Sequence, residues 1–149
     1  MNMEYIMGVV LGLGVGGLLG TVMSLDRCRS YYPTILIVTA TYYVLFGVMG
    51  ASGRIVAAEI VVATGFSVVA LVGFKKSLWL VAAGIASHGV FDLVQHLFIP
   101  NPGVPQWWPG FCLAIDITMA GWLGVRLIKW SLNPNPLESN SPRTEGLNS

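Results

Sequence analysis

The stretch LWLVAAGIASHGVFDLVQHLF, Leu78 to Phe98, decides how the whole chain is read. A helix rising 1.5 Å per residue needs about 20 residues to cross a hydrocarbon core roughly 30 Å thick. This run has that length and contains a single acid, Asp92, together with the chain's only two histidines, His88 and His96. It therefore predicts a membrane-spanning helix that carries polar groups where lipid surrounds it.

Four further runs have the same character: Tyr5 to Ser24, Pro33 to Gly50, Ile55 to Phe74 and Pro109 to Trp130. Short connections join them, LDRCRSYY, ASGR and KKS, and one longer one, IPNPGVPQWW. The chain has 149 residues, 54% of them hydrophobic and only 10% charged, with a mean hydropathy of +0.70. Soluble domains carry roughly 25% charged residues, and a fold of this size could not hide so much apolar surface from water. The expectation is an all-α fold, a polytopic membrane helix bundle of five spans over residues 1–132. The Pro-, Asn- and Ser-rich segment 133–149 is expected to be a disordered cytosolic tail. The first run has no positive segment before it and is long, which predicts a retained span over a cleaved signal peptide.

A net charge of +1 without a basic run excludes nucleic acid as a partner. Cys28 and Cys112 fall at opposite ends of the membrane in this topology, too far apart for a disulfide, and read as small buried hydrophobic residues. Arg27 and Arg29 follow span one, Lys75 and Lys76 follow span three, and Arg126 and Lys129 close span five, whereas only Arg54 lies on the opposite side. Lys and Arg collect in cytoplasmic loops, which predicts an outside N-terminus and a cytosolic C-terminus. Gly8, Gly12 and Gly16 in span one have the four-residue spacing that lets helices approach closely. Packing within the monomer is the simpler use of that face, and a dimer seam is the other.

Of seven acids, Glu59, Asp92 and Asp116 fall inside spans. A charged residue at mid-bilayer costs about 2.5–3.5 kcal/mol on the mildest scale, so three acids and two histidines without a Lys or Arg near mid-span ask for a reason. Counting from the outer ends of the spans, Glu59 lies about 6 Å deep, His96 about 3 Å, Asp92 about 9 Å, His88 about 15 Å and Asp116 about 10 Å. All five converge on the outer half of the membrane. His88, Asp92 and His96 are spaced i, i+4, i+8, which predicts a ladder on one helix face. Glu59 and Asp116 would face it from neighbouring helices. Imidazoles with carboxylates suit zinc, iron or manganese, so His88, Asp92, His96 and Asp116 are the predicted metal ligands. Glu59 is predicted as acid, base or further ligand, and without metal the same five groups could perform general acid and base chemistry. Interhelical hydrogen bonding is the plainer alternative for each group taken singly. The prolines of IPNPGVPQWWPGF stiffen an outer loop in which Trp107 and Trp108 read as headgroup-level anchors more than as a lid.

The pattern H-x-x-F-D-x-x-Q-H at 88–96, followed by F-C-x-x-x-D at 111–116, resembles a family of small bacterial and fungal integral membrane proteins of unknown function, whose motif is H-x-x-W-D-x-x-H-H. His88, Asp92, His96, Cys112 and Asp116 match. Phe91 stands for the tryptophan and Gln95 for the first of the paired histidines. The resemblance covers the last two spans and implies a shared polar site without supplying a reaction. By residue type alone the chain is also similar to membrane sterol isomerases and metal-dependent membrane hydrolases. The function expected is a membrane-embedded enzyme acting on a lipid-like or other hydrophobic small molecule, by metal or acid/base chemistry. The alternatives are a cation or proton transporter or channel component, and a structural subunit. Membrane lipids are the expected surroundings, and an oligomer would form through span one.

Overall fold

The computed structural model describes residues 3–25 and 28–132. Five helices are long and apolar enough to cross a membrane: α1 (Met3–Val22), α2 (Tyr31–Gly50), α3 (Gly53–Lys76), α4 (Leu78–Phe98) and α5 (Trp108–Leu132). They match the five expected spans to within a few residues at each end, and no strand occurs among the described residues. The tail expected at 133–149 lies outside the described residues.

α4 is the middle of the bundle. It packs against α2, α3 and α5, while α1 is held chiefly by α5 and α3 is paired with α2. The inner core is apolar, built on Tyr32, Leu36, Ala70, Val81, Ile85, Met119 and Leu123. Side chains facing outward are equally apolar: Val48 is 70% exposed, Val61 71% and Leu97 68%. A helix apolar on all sides belongs in lipid, and these are the surfaces lipid would cover.

Local chemistry explains the joints. α3 closes on Lys75 and Lys76, and the Ser77 side chain accepts the Trp79 N–H at 3.2 Å to start α4. The α3–α4 turn is tight because Gly73 lies against Val81, where a Cβ would clash with the Val81 side chain. Gly8 and Gly12 lie against Phe111, Ala114, Ile115 and Thr118, and Gly16 faces Trp122, so the four-residue glycine series is used inside the chain, against α5.

α1 departs from the uniform helix expected of it. Residues Leu13–Leu19, LGVGGLL, wind as a π-helix. Such a widened turn disturbs the regular carbonyl ladder, and in lipid every carbonyl needs a donor from within the protein. The Tyr31 hydroxyl donates to Val15 O at 2.8 Å and the Thr21 hydroxyl to Gly17 O. Both cysteines are free; Cys112 is buried as expected, but Cys28 is exposed, because it lies in the α1–α2 connection outside either helix.

Candidate functional site

Two glycines let α4 carry its polar groups into contact with neighbouring helices. At Gly89 a Cβ would stand 2.9 Å from Asp116 Cβ and 3.2 Å from Leu113 Cα, and at Gly84 one would meet Leu36 and Val69 at 2.8 and 2.9 Å. The backbones of α4 and α5 therefore meet at Gly89, one residue beyond His88. That approach closes the hydrogen bond between His88 Nδ1 and Asp116 Oδ2 at 2.7 Å. Asp92, one turn further along α4, places Oδ2 3.7 Å from the same ring nitrogen. One ligand atom from each of His88, Asp92 and Asp116 falls within 4.8 Å of the others. All three are sealed, at 2%, 0% and 1% exposure.

The surroundings of this triad are partly polar. The Tyr43 hydroxyl and the Cys112 thiol lie beside Asp92, and Phe66 turns its ring edge-on to His88, 4.8 Å between centroids at 77°. Neither oxygen of Asp92 accepts a hydrogen bond of ordinary geometry, and Asp116 Oδ1 and the Tyr43 hydroxyl are likewise without a partner. Leaving a buried polar atom unsatisfied costs about 1–3 kcal/mol, more if it is charged. Several such atoms around one small volume are therefore either a standing cost or the lining of a binding site. The donor set, one imidazole and two carboxylates, is of the type that zinc, iron and manganese accept. Charge points the same way: a divalent ion with two carboxylates and a neutral imidazole sums to zero, the one total that low-dielectric surroundings tolerate cheaply.

Glu59 lies in a second, adjoining group. Its Oε1 accepts from Gln95 Nε2 at 2.5 Å and from Asn101 Nδ2 at 2.9 Å, and Asn101 Nδ2 also reaches Tyr43 O at 3.1 Å. Asn101 comes from the proline-rich loop, which folds back over the end of the bundle where α4 stops and α5 starts. Its Oδ1 accepts the Gly103 N–H at 3.1 Å, and Gly103 is seated against Phe46 O, where no side chain would fit. Trp108 packs edge-on against Tyr42 and Phe46 at 5.2 and 4.8 Å, and Trp107 is 47% exposed.

The ladder expected of His88, Asp92 and His96 stops at Asp92. His96 is exposed and lines a cleft at the same end of the bundle with Glu4, Tyr5 and Gln106, apart from the three buried groups. The reason is angular. Each four-residue step overshoots a full turn by about 40°, so a residue at i+8 has rotated about 80° off the starting face. Residue i+7 is only about 20° off, and that residue is Gln95, 2% exposed. The seam of α4 is thus His88, Asp92 and Gln95. The sequence alone did not mark the roles of Gln95 and Asn101. The i, i+4, i+7 spacing could have found Gln95; nothing in the local sequence marks Asn101, which is brought in by the loop.

No protein-family model, curated protein or solved structure matches this chain, and the chemistry of the site rests on its own residues. The helix contact that assembles it is directly testable. Gly89→Ala should force α4 and α5 apart and cost about 1–3 kcal/mol, the usual range for overpacking, read as a lower unfolding midpoint in detergent. Gly121→Ala, on open α5 surface with nothing near its Cβ position, is the control and should not lower the midpoint, since Ala is the better helix former by about 0.5–1 kcal/mol.

Proposed function

We propose that the chain is a membrane-embedded enzyme acting on a hydrophobic, lipid-like substrate through a divalent metal held by His88, Asp92 and Asp116. The observation that carries this reading is the sealed triad whose carboxylate oxygens outnumber their donors. Three protein ligands with further coordination open to water or substrate is the pattern of catalytic metal sites, where the ion activates a bound water or polarises a substrate oxygen. His88 Nδ1 and Asp116 Oδ2 share a hydrogen bond, and both atoms would be open to a divalent ion once the shared proton has left them, whether to His88 Nε2 or to solvent. Tyr43 and Cys112 lie beside Asp92 and line the same small volume. Glu59 fixes Gln95 and Asn101 and keeps a second carboxyl near the centre for acid or base work.

Membership of the family of small bacterial and fungal membrane proteins belongs to the same proposal. Four of its motif positions, His88, Asp92, Cys112 and Asp116, are those that meet here. The orientation with the N-terminus outside and the C-terminus in the cytosol is proposed from the basic residues, Lys75 and Lys76 at one end of α3 and Arg54 at the other.

A transport reading has one observation in its favour: polar groups run from the cleft beside His96 through Gln95, Asn101 and Glu59 to Tyr43, whose hydroxyl lies beside Asp92. The packing of Leu36, Ile85, Met119 and Leu123 in the core argues against a continuous path to the other side. Metal analysis of detergent-purified protein tests the proposal. About one divalent ion per chain is expected, lost in His88→Ala and Asp116→Asn. Wild type without bound metal after incubation with zinc, manganese and ferrous iron would overturn the metal centre. Proton flux in liposomes that disappears in Asp92→Asn would favour transport.

A further inference from the structure

The cleft beside His96 and two apolar hollows are linked through shared lining residues. The cleft, about 390 Å³, has Gln95 and Asn101 in its wall with Glu4, Tyr5, His96 and Gln106 around them. Glu4 is shared with a hollow of about 260 Å³ between Met3, Met7 and Trp107. Met7 and Trp107 in turn belong to a groove of about 430 Å³ that passes Leu11, Val38 and Phe111 and reaches Cys112. Cys112 is 3% exposed and lies against Asp92. A polar pocket at the end of the helices thus grades into an apolar groove running about 12 Å along α5, from Trp107 to Ile115, with the buried triad behind its wall.

We propose that this track binds a single-chain, uncharged lipid with a hydroxyl-bearing headgroup, of the long-chain alcohol or monoacylglycerol class. The headgroup would occupy the cleft and the chain the groove. Three features select that chemistry. The polar and apolar parts are contiguous, which suits an amphiphile and neither a sugar nor a hydrocarbon alone. Among the cleft residues there is no Lys or Arg, so a phosphate or carboxylate headgroup finds no permanent cation in the described lining. The lining mixes acceptors and donors: Gln95 gives one Nε2 hydrogen to Glu59 and keeps Oε1 as an acceptor, while Tyr5 and Gln106 can both donate and accept. A hydroxyl donates and accepts, whereas an ammonium only donates. The assignment also gives His96 a place, at the headgroup and not among the metal ligands. It rests on the proposed enzyme reading only for the chemistry done on the bound lipid; occupancy of the track needs no metal.

The test uses full-length protein in nanodiscs of neutral phosphatidylcholine, with bromine on the chain of the added lipid to quench Trp107 and Trp108. Brominated monoacylglycerol should quench saturably, be displaced by unbrominated monoacylglycerol, and bind at least tenfold tighter than the brominated fatty acid of equal length. His96→Leu at the polar end and Leu11→Phe in the groove should each weaken it at least fivefold, while His88→Ala should bind as wild type does. Quenching that only rises in proportion to lipid mole fraction, equal binding of the fatty acid, or indifference to both His96→Leu and Leu11→Phe would overturn the lipid site. Because His88→Ala is assayed in parallel, loss of the metal centre and loss of the lipid site are separate results.

Discussion

Asp92→Asn should raise the unfolding midpoint of metal-free protein and abolish its stabilisation by divalent ions. Neither Asp92 oxygen accepts a hydrogen bond of ordinary geometry, so the amide gives up only looser contacts with Tyr43, Cys112 and His88. It is close to the same size and removes a charge whose cost at mid-bilayer is about 2.5–3.5 kcal/mol on the mildest scale. A gain of about 1–3 kcal/mol is expected, since the amide retains part of that cost. Wild type, by contrast, should gain about 2.7 kcal/mol at an ion concentration 100 times its dissociation constant, and Asp92→Asn should gain nothing. Thermal unfolding in detergent, with chelator and then with zinc or manganese, reads both halves. A residue that merely glues helices behaves in the opposite way: its replacement lowers stability in chelator. A fall in the metal-free midpoint on Asp92→Asn would make the triad structural.

Glu59 gives the second large effect, and two substitutions separate its roles. Glu59→Leu leaves the Gln95 amide without its acceptor and removes one of the two acceptors of Asn101. At about 1–3 kcal/mol per stranded donor, a loss of about 2–5 kcal/mol is expected, enough to lower the midpoint steeply and to loosen the proline-rich loop. Glu59→Gln keeps a carbonyl oxygen for both donors and should cost less than about 1 kcal/mol, a hydrogen bond's ordinary net contribution. If the carboxyl has work beyond holding the loop, Glu59→Gln will fold normally and still impair turnover of the lipid substrate. Equal destabilisation by Leu and Gln would contradict the hydrogen-bonding account.

The bundle was legible because lipid imposes a simple demand. Leu78–Phe98 and its four counterparts are apolar over a membrane's thickness, and loops such as KKS interrupt them with charge. The π-helical stretch of α1 was not legible, since LGVGGLL reads as an ordinary flexible helix until Tyr31 from α2 is seen to donate to Val15. His88, Asp92 and Asp116 could be singled out because an uncompensated acid in a span is expensive wherever it points. Their meeting depends on Gly89, whose significance lies in Asp116 and Leu113 across the interface and not in its own helix. His96 shows the limit of a spacing argument: eight residues of helix turn far enough to carry a matching residue onto another surface. Asn101 shows a further one, because its role depends on the path of a loop.

X-ray absorption at the K edge of the bound ion tests the central claim most directly. The triad predicts a shell of nitrogen and oxygen only, with multiple scattering from one imidazole, and its loss in His88→Ala. Sulfur in the shell would point to Cys112, and two imidazoles would bring His96 in as a ligand; either result would contradict a centre made of His88, Asp92 and Asp116.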